Sequence, residues 1–212
     1  MNPNDLRVYF SFRSPFSWFA FHRITTTGVL DWNGIDAVPI FPFGKGANLS
    51  AGRAKSSYVR QDAERIAKAY GLPMNWPEGS DDPDWFPPHQ IYVWAREQGK
   101  AIDYAREAFM ARFGRGLDLA SDEVMRAAAA AAGLDGGEAL AVAHDPEWKD
   151  RIMAGFAHTR EDGAFGVPLF IYRGERFWGN DRLDWLLREV ARSEGREVAD
   201  LAASPLAPVY SA

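Results

Sequence analysis

The segment Leu6-Arg7-Val8-Tyr9-Phe10-Ser11-Phe12-Arg13-Ser14-Pro15-Phe16-Ser17-Trp18 passes from one kind of secondary structure to another within three residues. Leu6 to Phe12 is dense in aromatic and branched residues and reads as a buried strand. Ser14-Pro15 reads as a helix start, since serine suits the N-cap and proline suits the first helical position. Helical spacing continues to Ile24, with Phe16, Phe19 and Ile24 as the expected buried stripe and Gly28 as the expected stop.

Working outward, a second strand fits Ile35 to Phe41 after the Asn33-Gly34 turn, and the glycine-rich Pro42 to Arg53 reads as a loop. Lys55 to Tyr70 is predicted helical, closed by Gly71 and Pro73. Pro73 to Pro88, with its five prolines, reads as an irregular connection. From His89 to about Glu161 the pattern is helical: Gln90–Gln98, Ile102–Phe113, Ser121 through the alanine run Ala127–Ala132 to Gly133, Gly137–Ala143, and Asp145-Pro146 to Arg160. Pro168–Tyr172, the turn Arg173-Gly174-Glu175 and Arg176–Trp178 form a predicted hairpin. Asp181 to Ala191 forms a closing helix with Leu183, Leu186, Leu187 and Val190 on one face.

The totals bound the function. The 212 residues are 47% hydrophobic and 25% charged, ordinary for a globular protein. A net charge of -5 supplies no attraction for nucleic acid or an anionic membrane surface. No apolar run is long enough to span a bilayer. Met1 to Asp5 lacks a basic region followed by an apolar run, so no signal peptide and a cytoplasmic location are expected. The chain has no cysteine, which excludes disulfides, thiolate metal sites and a cysteine nucleophile of its own. The four histidines, His22, His89, His144 and His158, show no metal spacing, and no metal site is expected.

A strand-helix-strand half followed by a hairpin-helix half is the thioredoxin layout, here with an all-helical insertion. The expected architecture is therefore α/β: a thioredoxin-like domain over 1–45 and 160–212, with a helical domain at 46–159. "SFRSPFSW" (Ser11 to Trp18), "GAFGVP" (Gly163 to Pro168) and "FWGNDRL" (Phe177 to Leu183) together resemble the 2-hydroxychromene-2-carboxylate isomerases of the DsbA-like family. Kappa-class glutathione transferases are similar in the same places. Gly46, Asn48, Lys55, Tyr58, Asp62, Arg65, Gly71 and Pro73 fall in the order of the family's intervening segment, so the resemblance runs from about Arg7 to Val190.

The resemblance implies a homodimer that binds glutathione and acts on a small aromatic molecule. It makes Ser14 the residue that hydrogen-bonds the glutathione sulfur, in place of a redox cysteine. It makes Val167, ahead of a cis Pro168, the backbone partner of the tripeptide, and Asn180 and Asp181 the receivers of its γ-glutamyl end. Asn48 and Lys55 match positions that approach the rest of glutathione. Three activities follow as readings: isomerisation through reversible thiolate addition, kappa-type conjugation of glutathione to electrophiles, and a non-catalytic glutathione-binding module.

The chemistry suits these residues. Only the thiolate is nucleophilic, and a free thiol of pKa about 8.5 is mostly protonated at pH 7. A helix N-terminus favours an anion, and a hydrogen bond to a charged group contributes roughly 1.5–3 kcal/mol. Arg13 stands beside Ser14 as a further positive charge. Each residue also has a plain structural role: Ser14 and Asn180-Asp181 as helix caps, Pro168 as a strand start. Leu169 stands where the family commonly has threonine, and Ser11 where it often has an acidic residue. His89 lies near the family's substrate pocket, and Trp76, Trp85, Phe86, Tyr92 and Trp94 are candidates to line an apolar cavity.

Overall fold

The computed structural model describes residues 5–28, 30–41, 53–77 and 83–195. The chain divides into two compact units, Met1–Val38 with His158–Ala212, and Pro39–Ala157.

The first unit is built on a four-stranded sheet in which Leu6–Phe10 and Leu169–Tyr172 are central, flanked by Asp36–Pro39 beside the former and Glu175–Trp178 beside the latter. β1 spans Leu6–Phe10 and leads into helix α1, Pro15–Thr27. Gly28, at φ 64°, ends α1 in the left-handed conformation that glycine adopts without steric cost. A 3₁₀ turn at Trp32–Gly34, capped by Asp31, precedes β2, Asp36–Pro39. β2 is thus shorter than the seven residues expected from the apolar run. The hairpin pairs β3, Leu169–Tyr172, with β4, Glu175–Trp178. Its loop is only Arg173-Gly174, with φ of 49° and 84°, and Glu175 already belongs to the strand. Two consecutive positive φ angles match the twist of the flanking strands. The Arg173 N–H reaches the Asp5 carbonyl and its guanidinium the Asp5 carboxylate, which hold a non-glycine residue in that conformation.

β1 pairs antiparallel with β3, from Leu6 opposite Tyr172 to Tyr9 opposite Leu169. All of β1 except the half-buried Arg7 is buried, as are all four residues of β3. α1 is enclosed on more sides than a single stripe: Trp18, Phe19, Phe21 and Ile24 are buried, with Ser17 and Arg23 among them. Phe16, expected in the stripe, is only half-buried. Leu183, Leu186, Leu187 and Val190 form the buried face of α8, Leu183–Ser193, as their spacing requires.

The helical unit contains α2, Arg53–Ala69; α3, Phe86–Glu97; α4, Ala101–Phe109; α5, Asp122–Ala131; and α6, Gly136–His144. α7, Pro146–Glu161, follows. A π-helical turn at Met110–Gly114 extends α4. α3 begins four residues earlier than expected, because Pro87 and Pro88 occupy its first turn, where no N–H is needed. The alanine run presents Ala128, Ala129 and Ala132 to the interior and leaves Ala127, Ala130 and Ala131 exposed. Buried Gln90 donates its amide to the Val142 and Asp145 carbonyls, both at 2.9 Å, and so joins α3 to the end of α6.

One polar network sits within the first unit. Arg7 Nε donates to Asp36 at 2.6 Å and Arg7 Nη1 to Asp162 at 2.7 Å. The fully buried Tyr9 donates its hydroxyl to the same Asp162 oxygen at 2.6 Å. Burial alone would raise the Asp162 pKa, but the hydrogen bonds from Tyr9 and Arg7 outweigh it and hold the carboxyl below its usual value. Burial and the adjacent carboxylate push Tyr9 well above the usual phenol range.

The depressed Asp162 pKa contributes stability that is complete above its unfolded value of about 3.9 and lost as pH falls through the folded value. Urea unfolding across pH 2–7 is expected to show this loss, and Asp162→Asn to flatten it. Tyr9→Phe is expected to lower stability at pH 7 by about 1–2 kcal/mol.

Candidate functional site

The first unit brings three separated segments together. Ser14, at φ -100° and ψ 117°, is the N-cap of α1: its Oγ accepts from the Ser17 N–H at 3.3 Å. The same hydroxyl lies 3.5 Å from the Val167 carbonyl, to which it donates. Pro15 supplies no N–H, and the Phe16 N–H has no acceptor among the described residues. Ser11 is buried beneath this corner; its N–H donates to Ser17 Oγ and its Oγ accepts from the Arg13 N–H.

The Val167–Pro168 peptide bond is cis. The Val167 N–H makes no hydrogen bond among the described residues. The Pro168 carbonyl accepts from the Gly179 N–H at 2.9 Å, which joins this loop to the third segment. Gly179 stands at φ 107° and ψ 157°, a backbone region nearly confined to glycine.

Asn180 and Asp181 lie in a 3₁₀ turn, Asn180–Arg182, and α8 proper begins at Leu183. The closing helix therefore starts two residues later than expected, and Asp181 is not its cap. Asn180 is buried, and its carbonyl accepts from the Leu183 N–H. The Asp181 carboxylate is 70% exposed and 3.0 Å from Arg182 Nη1. Ser14, Val167, Pro168, Asn180 and Asp181 thus share the first unit. Lys55 is exposed in the first turns of α2 in the helical unit, and Asn48 lies outside the described residues.

His89 belongs to the interior of the helical unit. It is fully buried, stacks on Phe41 at 4.6 Å, and its Nδ1–H meets the Trp85 carbonyl at 2.6 Å. Burial lowers its pKa to about 3, against the lift from that hydrogen bond, so the ring is neutral near pH 7. Tyr92 and Trp94 are buried in the same unit.

Two features escaped the sequence reading. Arg23, deep in α1, donates to the Asn180 carbonyl at 2.7 Å and to Asp184 at 2.6 Å. Its signal was a lone positive charge inside the apolar run Phe16 to Ile24. Phe165 and Trp178 form an exposed aromatic pair, 5.0 Å between centroids, beside Gly166. A Cβ on Gly166 would stand 2.7 Å from the Trp178 Nε1.

With this geometry established, residues 5–191 match the DSBA-like thioredoxin domain, and the chain belongs to that family. A 2-hydroxychromene-2-carboxylate isomerase from Sphingobium xenophagum is 28% identical over 186 residues, covering 84% of this chain and 93% of the relative. One of the same name from Pseudomonas putida is 25% identical, covering 91% and 97%. Among solved structures, a 2-hydroxychromene-2-carboxylate isomerase superposes with a TM-score of 0.71 at 22% identity, covering 93% of this chain and 99% of that one. Dithiol exchange, by contrast, needs cysteine thiols that this chain lacks.

The glycine at 179 is required twice, since a Cβ there would also stand 2.5 Å from Asp181 Oδ1. Gly179→Ala is expected to lower the unfolding free energy in urea by about 1–3 kcal/mol. Gly34→Ala, whose Cβ would meet its nearest neighbour at 3.7 Å, is expected to change it by less than about 0.5 kcal/mol.

Proposed function

We propose that the protein is a glutathione-dependent isomerase acting on 2-hydroxychromene-2-carboxylate or a closely similar bicyclic intermediate of aromatic breakdown. The observation that carries this reading is the meeting of the Ser14 hydroxyl with Val167 at the start of α1. The names of the relatives supply the substrate class.

The residues present fit the tripeptide. The Phe16 N–H and the Ser14 hydroxyl supply donors for a sulfur at the positive end of the helix. The Val167 N–H is available for backbone pairing, as an added extended segment would use it. The exposed Asp181 carboxylate, next to Asn180, suits the ammonium of a γ-glutamyl group. Bound glutathione would supply a thiolate whose reversible addition to the conjugated bond lets the ring open and the former double bond rotate before elimination. Ser14 attacks nothing in this scheme. It orients the sulfur and favours its charged form, and no net oxidation occurs.

The test follows the ultraviolet spectrum of the chromene substrate with and without glutathione, for wild type and Ser14→Ala. Conversion is expected only with glutathione. Losing one hydrogen bond to a charged sulfur should slow Ser14→Ala at pH 7 by about tenfold to a hundredfold. The rate of each protein should rise with pH through the thiol pKa, with the Ser14→Ala profile displaced to higher pH. Conversion independent of glutathione would overturn the reading. Release of a stable glutathione conjugate from an electrophile, with no isomerisation, would establish the transferase alternative.

A further inference from the structure

Arg23 is the ninth residue of α1, the helix that Ser14 begins. Its side chain is 7% exposed. Among the described residues its guanidinium reaches across to two acceptors: Nη1 donates to the Asn180 carbonyl at 2.7 Å, and Nη2 to Asp184 Oδ1 at 2.6 Å. One acceptor lies in the 3₁₀ turn and the other in the first turn of α8. Both distances are short, as expected of bonds from a charged donor.

Stability alone does not account for a charge at this position. Desolvating a guanidinium is costly, and a buried ion pair is often no better than apolar residues of similar size. The planar fork instead provides fixed directions, since two donors on one rigid group set two acceptors at a defined separation.

The acceptors matter because of what lies between them. Asp181 follows Asn180 directly, and its exposed carboxylate is placed by the backbone of the turn. That backbone is held from one side by the bond from the Gly179 N–H to the Pro168 carbonyl. From the other side it is held by Arg23. The contacts form a closed circuit: Ser14 Oγ to Val167, Pro168 to Gly179, Asn180 to Arg23, and back along α1 to Ser14.

We infer that Arg23 is a positioning residue that sets the Asn180–Asp181 turn against the N-terminus of α1. The thiol and γ-glutamyl ends of one ligand are thereby received at a fixed spacing. This rests on the glutathione reading above and adds to it the residue that makes recognition of the γ-glutamyl end depend on the helix that holds the sulfur.

The experiment compares equilibrium binding of glutathione and of cysteinylglycine, which carries the same thiol without the γ-glutamyl group. Wild type is expected to prefer glutathione. Arg23→Met should lose at least tenfold of that preference while its affinity for cysteinylglycine stays within twofold. Arg23→Lys, which keeps the charge without the fork, should fall between. Asp184→Asn releases one anchor from outside the core and should move the preference in the same direction by less. It decides the matter should Arg23→Met fail to fold. Equal weakening of both ligands, or a preference unchanged by these substitutions, overturns the inference alone. A wild-type protein with no preference overturns the glutathione reading and this inference with it.

Discussion

The antiparallel pairing of β1 with β3 is the constraint on which the rest of the site depends. It joins positions some 160 residues apart in the chain, with Tyr9 opposite Leu169. The end of β1 therefore lies beside the beginning of β3. Ser14 comes five residues after Tyr9, and Val167 two residues before Leu169, so this register brings the helix start and the cis-proline loop together. The second pairing, Leu169 with Trp178, then brings Gly179 to Asp181 alongside Pro168. A slip of one residue would turn every side chain of β3 to the opposite face. All four of its residues are buried, so the core resists that slip.

Two arginines serve this unit in different ways. Arg7 is partly exposed and shared between two carboxylates, one of which also takes the Tyr9 hydroxyl. Its negative partners outnumber it, so the network ties β1 to β2 and to the segment after α7 by charge. Arg23 is more deeply buried and, among the described residues, reaches the Asp184 carboxylate and the Asn180 carbonyl. The Asp184 carboxylate compensates its charge, while the bond to the carbonyl adds a fixed direction. The first reads as structural cement and the second as alignment.

What could be read from the sequence followed how locally each feature is encoded. The start of α1 needs only Ser14 and Pro15, and its end only Gly28; both were legible. The hairpin was legible because its turn and flanking runs lie within a dozen residues, although the loop proved one residue tighter. The start of α3 was not, since Pro87 and Pro88 resemble a loop unless their place in a first turn is known. The 3₁₀ turn at Asn180 was missed because the positive φ of Gly179 and a carbonyl taken by Arg23, 157 residues away, decide it. The pairing of Tyr9 with Asp162, 153 residues apart, leaves no local pattern either. Three motifs in order nominate Ser14, Val167, Asn180 and Asp181 as candidates, and the hydrogen bonds these residues make are visible only in the fold.

Capping a helix and holding a sulfur look like competing roles for Ser14, but they use different parts of one hydroxyl. The bond from the Ser17 N–H occupies a lone pair on Oγ. The hydroxyl hydrogen is directed at the Val167 carbonyl, 3.5 Å away, well beyond the 2.5–3.0 Å typical of such bonds. That hydrogen is thus weakly committed. It could turn to an incoming thiolate with little loss, while the cap, and with it the first turn of α1, stays intact. Helix closure and the proposed thiolate stabilisation therefore draw on the same residue without opposing each other, so a plain N-cap geometry does not count against the proposed role.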